Sequence, residues 1–345
     1  MKKLLFNCYF LMALLVSCAA LPVANAKAFD KIIAFGDSLS DNGNIFSLTQ
    51  RASRVIPNMP VIPGNPYYEG RFSNGPVWVE RLSQLLNAPL DDYAYGGAWA
   101  ESYYYSRQIV PFSLGTQVDF YLVKAELDYN KENHLYVIWM GANDYVGGRS
   151  DIEFATTNVV STIQSNIDWL VYYGAKNIII LNMPNLGLLP EAIFRGPEAA
   201  ATLSQLAARH NAKLDAMIAN LKETYPNVSF IKGDIATNFE DMMNQPEKYH
   251  LNNVRDACYS SDSRTALRGF ENSAELKALR KANIDIMNNP SLRVAYNTNR
   301  LSLMGNRECV NADAYMFWDH IHPTRTVHQT IANMTYAKLN SLQLL

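Results

Sequence analysis

An apolar run near the N-terminal end, Ile32-Ile33-Ala34-Phe35, stops at Gly36-Asp37-Ser38 and a string of turn residues. That arrangement puts a small hydroxyl at the C-terminal end of a strand, where α/β sheets hold their ligands. Ser38 is a candidate nucleophile, although Gly-Asp-Ser is also ordinary turn chemistry. Nucleophilic catalysis further needs a base, a carboxylate and oxyanion donors. Two of these lie far along the chain, in Phe317-Trp318-Asp319-His320-Ile321-His322-Pro323-Thr324. The Asp319-x-x-His322 step can bring both side chains to one side of a tight loop. Asp319 would then accept from one ring nitrogen, fixing the tautomer and leaving the other nitrogen free as base. Pro323 disfavours a helical residue before it, so His322 falls at a loop-helix junction. His320 points the same way in an extended segment and is the rival by spacing; the junction position favours His322.

Two further stretches offer donors. Gly96-Gly97 follows a short strand near Pro89 to Tyr93, and the missing Cβ lets a backbone N–H approach a substrate oxygen. Asn143, in Gly141-Ala142-Asn143-Asp144, follows another strand and can donate its side-chain NH2. With the N–H of Ser38 there would be three donors, each typically worth ~10²–10³ in rate. Taken singly, Gly96-Gly97 reads as a turn and Asn143 as a helix cap. Together the four stretches point to acyl transfer.

The elements that must position these residues are legible from periodicity. Leu135 to Met140 and Lys176 to Met183 are continuous apolar runs, typical of strands buried on both faces. Val228 to Lys232 is a further strand. Helices are predicted over Val77 to Asn87, Thr116 to Leu127, Asp151 to Tyr173, Pro197 to Tyr225, Ile235 to Asn244, and Pro323 to about Leu342. Alternating strands and helices argue for a parallel sheet covered on both faces. Phe46 to Tyr68, rich in Pro, Gly and Asn, reads as surface loop. Tyr249 to Tyr315 breaks the rhythm: it shows no strong strand pattern and one helix, Ser273 to Met287. Such an insertion is usually a lid or binding loop.

The 345-residue chain has a net charge of −2, which provides no basic field for nucleic acid. Lys2 and Lys3, the apolar stretch Leu4 to Val16 and Ala24-Asn25-Ala26 read as a secretory signal peptide, residues 1–26. The mature chain would be residues 27–345, one domain carrying an inserted region 249–315. Leu15-Val16-Ser17-Cys18 also resembles a lipoprotein box, which would leave the protein lipid-anchored at Cys18; cleavage after Ala26 is preferred because the first strand begins only a few residues later. Cys258 and Cys309 remain as an even pair in an oxidising compartment and are expected to bond. In the chain-entropy model such a loop stabilises by about 4 kcal/mol. No His/Cys/Asp cluster has ligand spacing, so neither metal nor cofactor is expected.

Ser38, Gly97, Asn143 and His322 match the four blocks of the GDSL, or SGNH, hydrolase superfamily. Phe35 to Asp41, Tyr67 to Trp78, Gly141 to Tyr145 and Met316 to Thr324 resemble its bacterial secreted phospholipase A, lysophospholipase A and glycerophospholipid:cholesterol acyltransferase branch. The resemblance covers nearly all of residues 27–345. It implies a three-layer α/β/α fold with a central, mostly parallel, five-stranded flavodoxin-like sheet. It implies catalysis by Ser38, Asp319 and His322, an oxyanion hole of Ser38, Gly97 and Asn143, and a Cys258–Cys309 disulfide. The implied substrates are phospholipids and lysophospholipids, met by transient contact with a membrane surface, with cholesterol as a potential acyl acceptor. Two departures bear on specificity: Trp99 follows Ala98 where that branch has threonine, and the middle of the inter-cysteine loop does not match. Trp99 with Tyr103-Tyr104-Tyr105 could rim an acyl pocket or pack in the core. Arg71 could meet a phosphate or hold a loop, the latter preferred. Two rival functions keep the fold. One is an esterase for short-chain or carbohydrate esters; the other is a non-catalytic surface-binding protein, which predicts a missing catalytic member where none is missing.

Overall fold

The computed structural model describes residues 28–101, 113–259, 273–303 and 309–345. The signal-peptide and Cys18 expectations, and Tyr103-Tyr104-Tyr105, lie outside the described residues.

Five strands form one parallel sheet: β1 (Ile32–Gly36), β2 (Leu90–Asp92), β3 (Leu135–Trp139), β4 (Asn177–Leu181) and β5 (Ser229–Gly233), in the order β2-β1-β3-β4-β5. Every residue of β1 and β3 is buried, as expected of strands covered on both faces. Two helix layers supply that cover. On one side α2 (Trp78–Leu86) packs along α11 (Arg325–Ser341); on the other α3 (Leu114–Lys124), α5 (Ile152–Tyr172) and α7 (Pro197–Thr224) lie side by side. The fold is thus the three-layer α/β/α arrangement. Short helices α4 (Ala142–Val146), α6 (Pro190–Arg195) and α8 (Ile235–Asn244) complete the upper loops and the edge beyond β5.

The register explains why the site assembles. Gly36 at the end of β1 lies opposite Trp139 at the end of β3, and Ala34 lies opposite Asp92 at the end of β2. Chain direction switches sides at β1, and the crevice beyond such a switch point is the usual ligand site. Residues just past β2, β1 and β3 therefore emerge side by side.

Two segments differ from the sequence reading. Phe46 to Tyr68 is not all loop: α1 spans Asn44–Ser53, its first turn held by the Asp41 carboxylate, which accepts from Gly43, Asn44 and Ile45 N–H. Tyr249 to Tyr315 holds β6 (Asn253–Ala257), α9 (Ala274–Lys281) and α10 (Pro290–Leu303), where one longer helix was expected. β6 pairs in parallel with β7 (Tyr315–Phe317), which leads into the Asp319 loop. Cys258 and Cys309 are bonded, with Cα atoms 4.9 Å apart, and Cys258 N–H donates to Phe317 O. A second apolar cluster, beside the sheet core, joins α1, α9 and α10 to Tyr67, Phe72 and Trp318.

Candidate active site

Ser38 and His322, 284 residues apart in sequence, meet: His322 Nε2 lies 2.8 Å from Ser38 Oγ. His322 Nδ1 lies 2.7 Å from Asp319 Oδ2. All three residues are buried. The Asp319 turn is held by its own side chain, since Oδ1 accepts from Ile321 N–H at 2.8 Å and His322 N–H at 2.7 Å. Oδ2 also accepts from the Tyr67 hydroxyl at 2.5 Å. Burial would raise the Asp319 carboxyl, but the facing His322 ring and the bonds from His322 and Tyr67 bring it below the usual carboxylate range. With Nδ1 committed to a carboxylate, Nε2 is free to take the serine proton. His320 is elsewhere: its ring packs against Phe194 and its Nδ1 lies 3.6 Å from Glu191. Of the two histidines, His322 is the one in contact with Ser38.

Other elements hold the ends of this chain of contacts. Gln117 of α3 grips Gly36, its Oε1 accepting from Gly36 N–H and its Nε2 donating to Gly36 O. A Cβ at Gly36 would lie 2.9 Å from Trp139 O, so glycine lets β1 and β3 close together below the serine. Phe72 packs against the His322 ring at a tilt of 42°, with centroids 5.0 Å apart, and Ser73 donates to Pro323 O. Arg71 pairs with Glu80 at 2.7 Å and donates to Glu69 O, which is the loop-holding arrangement.

The donor stretches adjoin. Gly97 has φ +80°, a conformation that favours glycine, and its neighbour Gly96 donates its N–H to Asp41 Oδ2 at 2.7 Å. Asn143, in the first turn of α4, donates Nδ2 to Ala98 O at 2.8 Å and shares a cavity wall with Ser38. Trp99 packs over Gly147, where a Cβ would lie 2.1 Å from its ring; it is absent from that wall. The cavity is mainly apolar, with Leu39, Val146, Leu186, Leu189, Phe239 and Ile321 around Ser38 and Asn143. Asp37 also borders it, and burial pushes its carboxyl up to about 6.

A serine hydroxyl bonded to a carboxylate-oriented imidazole, at the end of the first strand of a parallel sheet, is the arrangement of a serine acylhydrolase. The profile of the GDSL-like lipase/acylhydrolase family matches residues 32–334. The chain belongs to this family. This GDSL chain is 30% identical over 341 residues to a phosphatidylcholine-sterol acyltransferase of Aeromonas hydrophila, covering 96% of the one and 95% of the other. A thermolabile hemolysin of Vibrio parahaemolyticus is 27% identical over 317 residues, covering 91% of this chain and 64% of the hemolysin. A GDSL esterase/lipase of Arabidopsis thaliana is 25% identical over 368 residues, covering 93% and 86%.

Four residues of this GDSL site were not legible in advance: Tyr67, Gln117, Asn289 and Ser291. The last two come from the start of α10. Asn289 Nδ2 donates to Gly97 O at 2.6 Å, and Ser291 Oγ donates to Asn143 Oδ1 at 2.7 Å. Tyr67 alone had a sequence signal, since it opens the Tyr67 to Trp78 motif.

Proposed function

We propose that the protein is an exported lipolytic serine hydrolase that cleaves fatty acyl esters of phospholipids and lysophospholipids. The contact that carries this reading is Ser38 Oγ at 2.8 Å from His322 Nε2, beside a small cavity walled mainly by apolar side chains. His322 takes the Ser38 proton as Oγ attacks the ester carbonyl. Ser38 N–H, Gly97 N–H and the Asn143 amide stabilise the oxyanion. As the tetrahedral intermediate collapses, His322 gives the proton to the leaving alcohol and an acyl-Ser38 ester remains. Water, deprotonated by His322, releases the fatty acid; a sterol or other alcohol in its place receives the acyl group. Asp319 holds the imidazole and faces its charged form. The name of the Aeromonas relative supports lipid ester chemistry and a sterol acceptor.

Export through residues 1–26 is part of the proposal, and the Cys258–Cys309 bond supports it because disulfides persist in oxidising compartments. N-terminal sequencing of protein from the culture medium should begin at Lys27. Ser38→Ala protein should release no fatty acid from phosphatidylcholine or lysophosphatidylcholine, and undiminished release would end the reading. An activity peak on acetyl or butyryl esters would move the substrate to the short-chain esterase class.

A further inference from the structure

Asn143 can serve an oxyanion only if its amide faces the right way. A reversed amide would present a carbonyl oxygen to a developing negative charge. Inside a buried site, the partners at the two ends of the amide decide its orientation. Ala98 O, accepting from Nδ2 at 2.8 Å, fixes one end. The other end, Oδ1, accepts from Ser291 Oγ at 2.7 Å. Ser291 is 2% exposed and borders the same cavity as Ser38. One turn of α10 acts on the neighbouring donor as well. Asn289 uses Oδ1 to accept from Leu292 N–H, which leaves Nδ2 to bind Gly97 O at 2.6 Å. Further along the same helix, Thr298 lies beside the Tyr67 hydroxyl that reaches Asp319. A helix lying between Cys258 and Cys309 in sequence, outside the central sheet, thus touches both oxyanion segments and the support of the acid.

We propose that Ser291 is a positioning residue of the oxyanion hole: its hydroxyl sets the orientation of the Asn143 amide, while Asn289 steadies the Gly97 turn from the same helix start. The inference rests on the serine-hydrolase reading given above. It predicts that the disulfide-bounded segment belongs to the catalytic apparatus and is more than a cover over it.

Ser291→Ala should lower kcat on lysophosphatidylcholine by about 10-fold to 10²-fold, a fraction of the loss typical for removing a donor outright, with KM nearly unchanged. The deciding measurement is a double-mutant cycle with Asn143→Ala. If Ser291 acts through Asn143, Ser291→Ala costs little further once Asn143 is gone. Wild-type kcat in Ser291→Ala, or an equal loss in both backgrounds, would overturn the proposal. If the alanine variant does not accumulate as folded protein, Ser291→Cys, of similar size and a weaker donor, carries the same cycle. Failure of the underlying reading looks different: wild-type protein would then release no acyl product, and a fluorophosphonate probe would leave Ser38 unlabelled.

Discussion

At the residue scale, Asp319 is the most heavily committed group of the site. Each of its oxygens accepts two hydrogen bonds, and the Tyr67 hydroxyl is the only one of these donors that lies outside the tight turn 319–322. A carboxylate whose folded pKa is depressed contributes stability above its unfolded value, near pH 4, and loses it as pH falls through the lower folded value. Tyr67→Phe removes one cause of that depression. The acid limb of a urea-unfolding profile should therefore move to higher pH, while stability at pH 7 falls by about 1.5–3 kcal/mol, the range for a hydrogen bond to a charged group. The same variant should keep Ser38 reactive toward a fluorophosphonate, at a reduced rate. Ser38, Asp319 and His322, which the structure brings into contact, each stand in the sequence at the edge of an apolar run or beside a proline. Tyr67 lies in a loop and Asn289 and Ser291 at the start of α10, single polar residues for which no periodicity marks which partner a side chain finds.

At the scale of elements, the placement of Ser38 depends on how firmly the end of β1 is held. Gln117→Met should leave Gly36 N–H without its buried acceptor, costing about 1–3 kcal/mol of unfolding free energy, and should lower kcat by letting Ser38 wander from His322. Chemical denaturation and steady-state kinetics check both halves. The strands β1, β3 and β4 were visible as unbroken apolar runs because both their faces are covered. α1 was hidden in a segment whose Pro, Gly and Asn content argued for loop; the Asp41 carboxylate overrides that composition by satisfying its first N–H groups. β6 escaped because Asn253-Val254-Arg255-Asp256-Ala257 has no apolar periodicity and pairs with a register shift. α10 escaped because the expected helix, Ser273 to Met287, overran α9 and stopped short of Pro290, although Asn289-Pro290 carries the capping residue and first-turn proline of a new helix start.

For the molecule as a whole, buried acids and bases pull its pH response in opposite directions. Burial pushes Asp37 and Asp41 up to about 6 and Asp144 up to about 7. Each gives stability that is present below about pH 4, where the unfolded chain is also protonated, and is lost as pH rises through the folded value. His210 and His328, lowered to about 3 by burial, run the other way, contributing above pH 6.5 and losing that contribution as pH falls through about 3. Ala100 and Glu101 N–H donate to different oxygens of Asp144, so Asp144→Asn keeps an acceptor for only one of them while removing one titration. Its unfolding free energy relative to wild type should rise steadily between about pH 4 and pH 7 in urea melts. The turn that carries Asp319 and His322 has a consequence of its own. The carboxylate is tied to the backbone of the very residue whose ring it orients, so the two cannot drift apart while the turn survives; only the gap to Ser38 can open. Warmed or aged preparations should then divide into fully competent and wholly dead molecules, and counting live serines against total protein should account for every lost turnover.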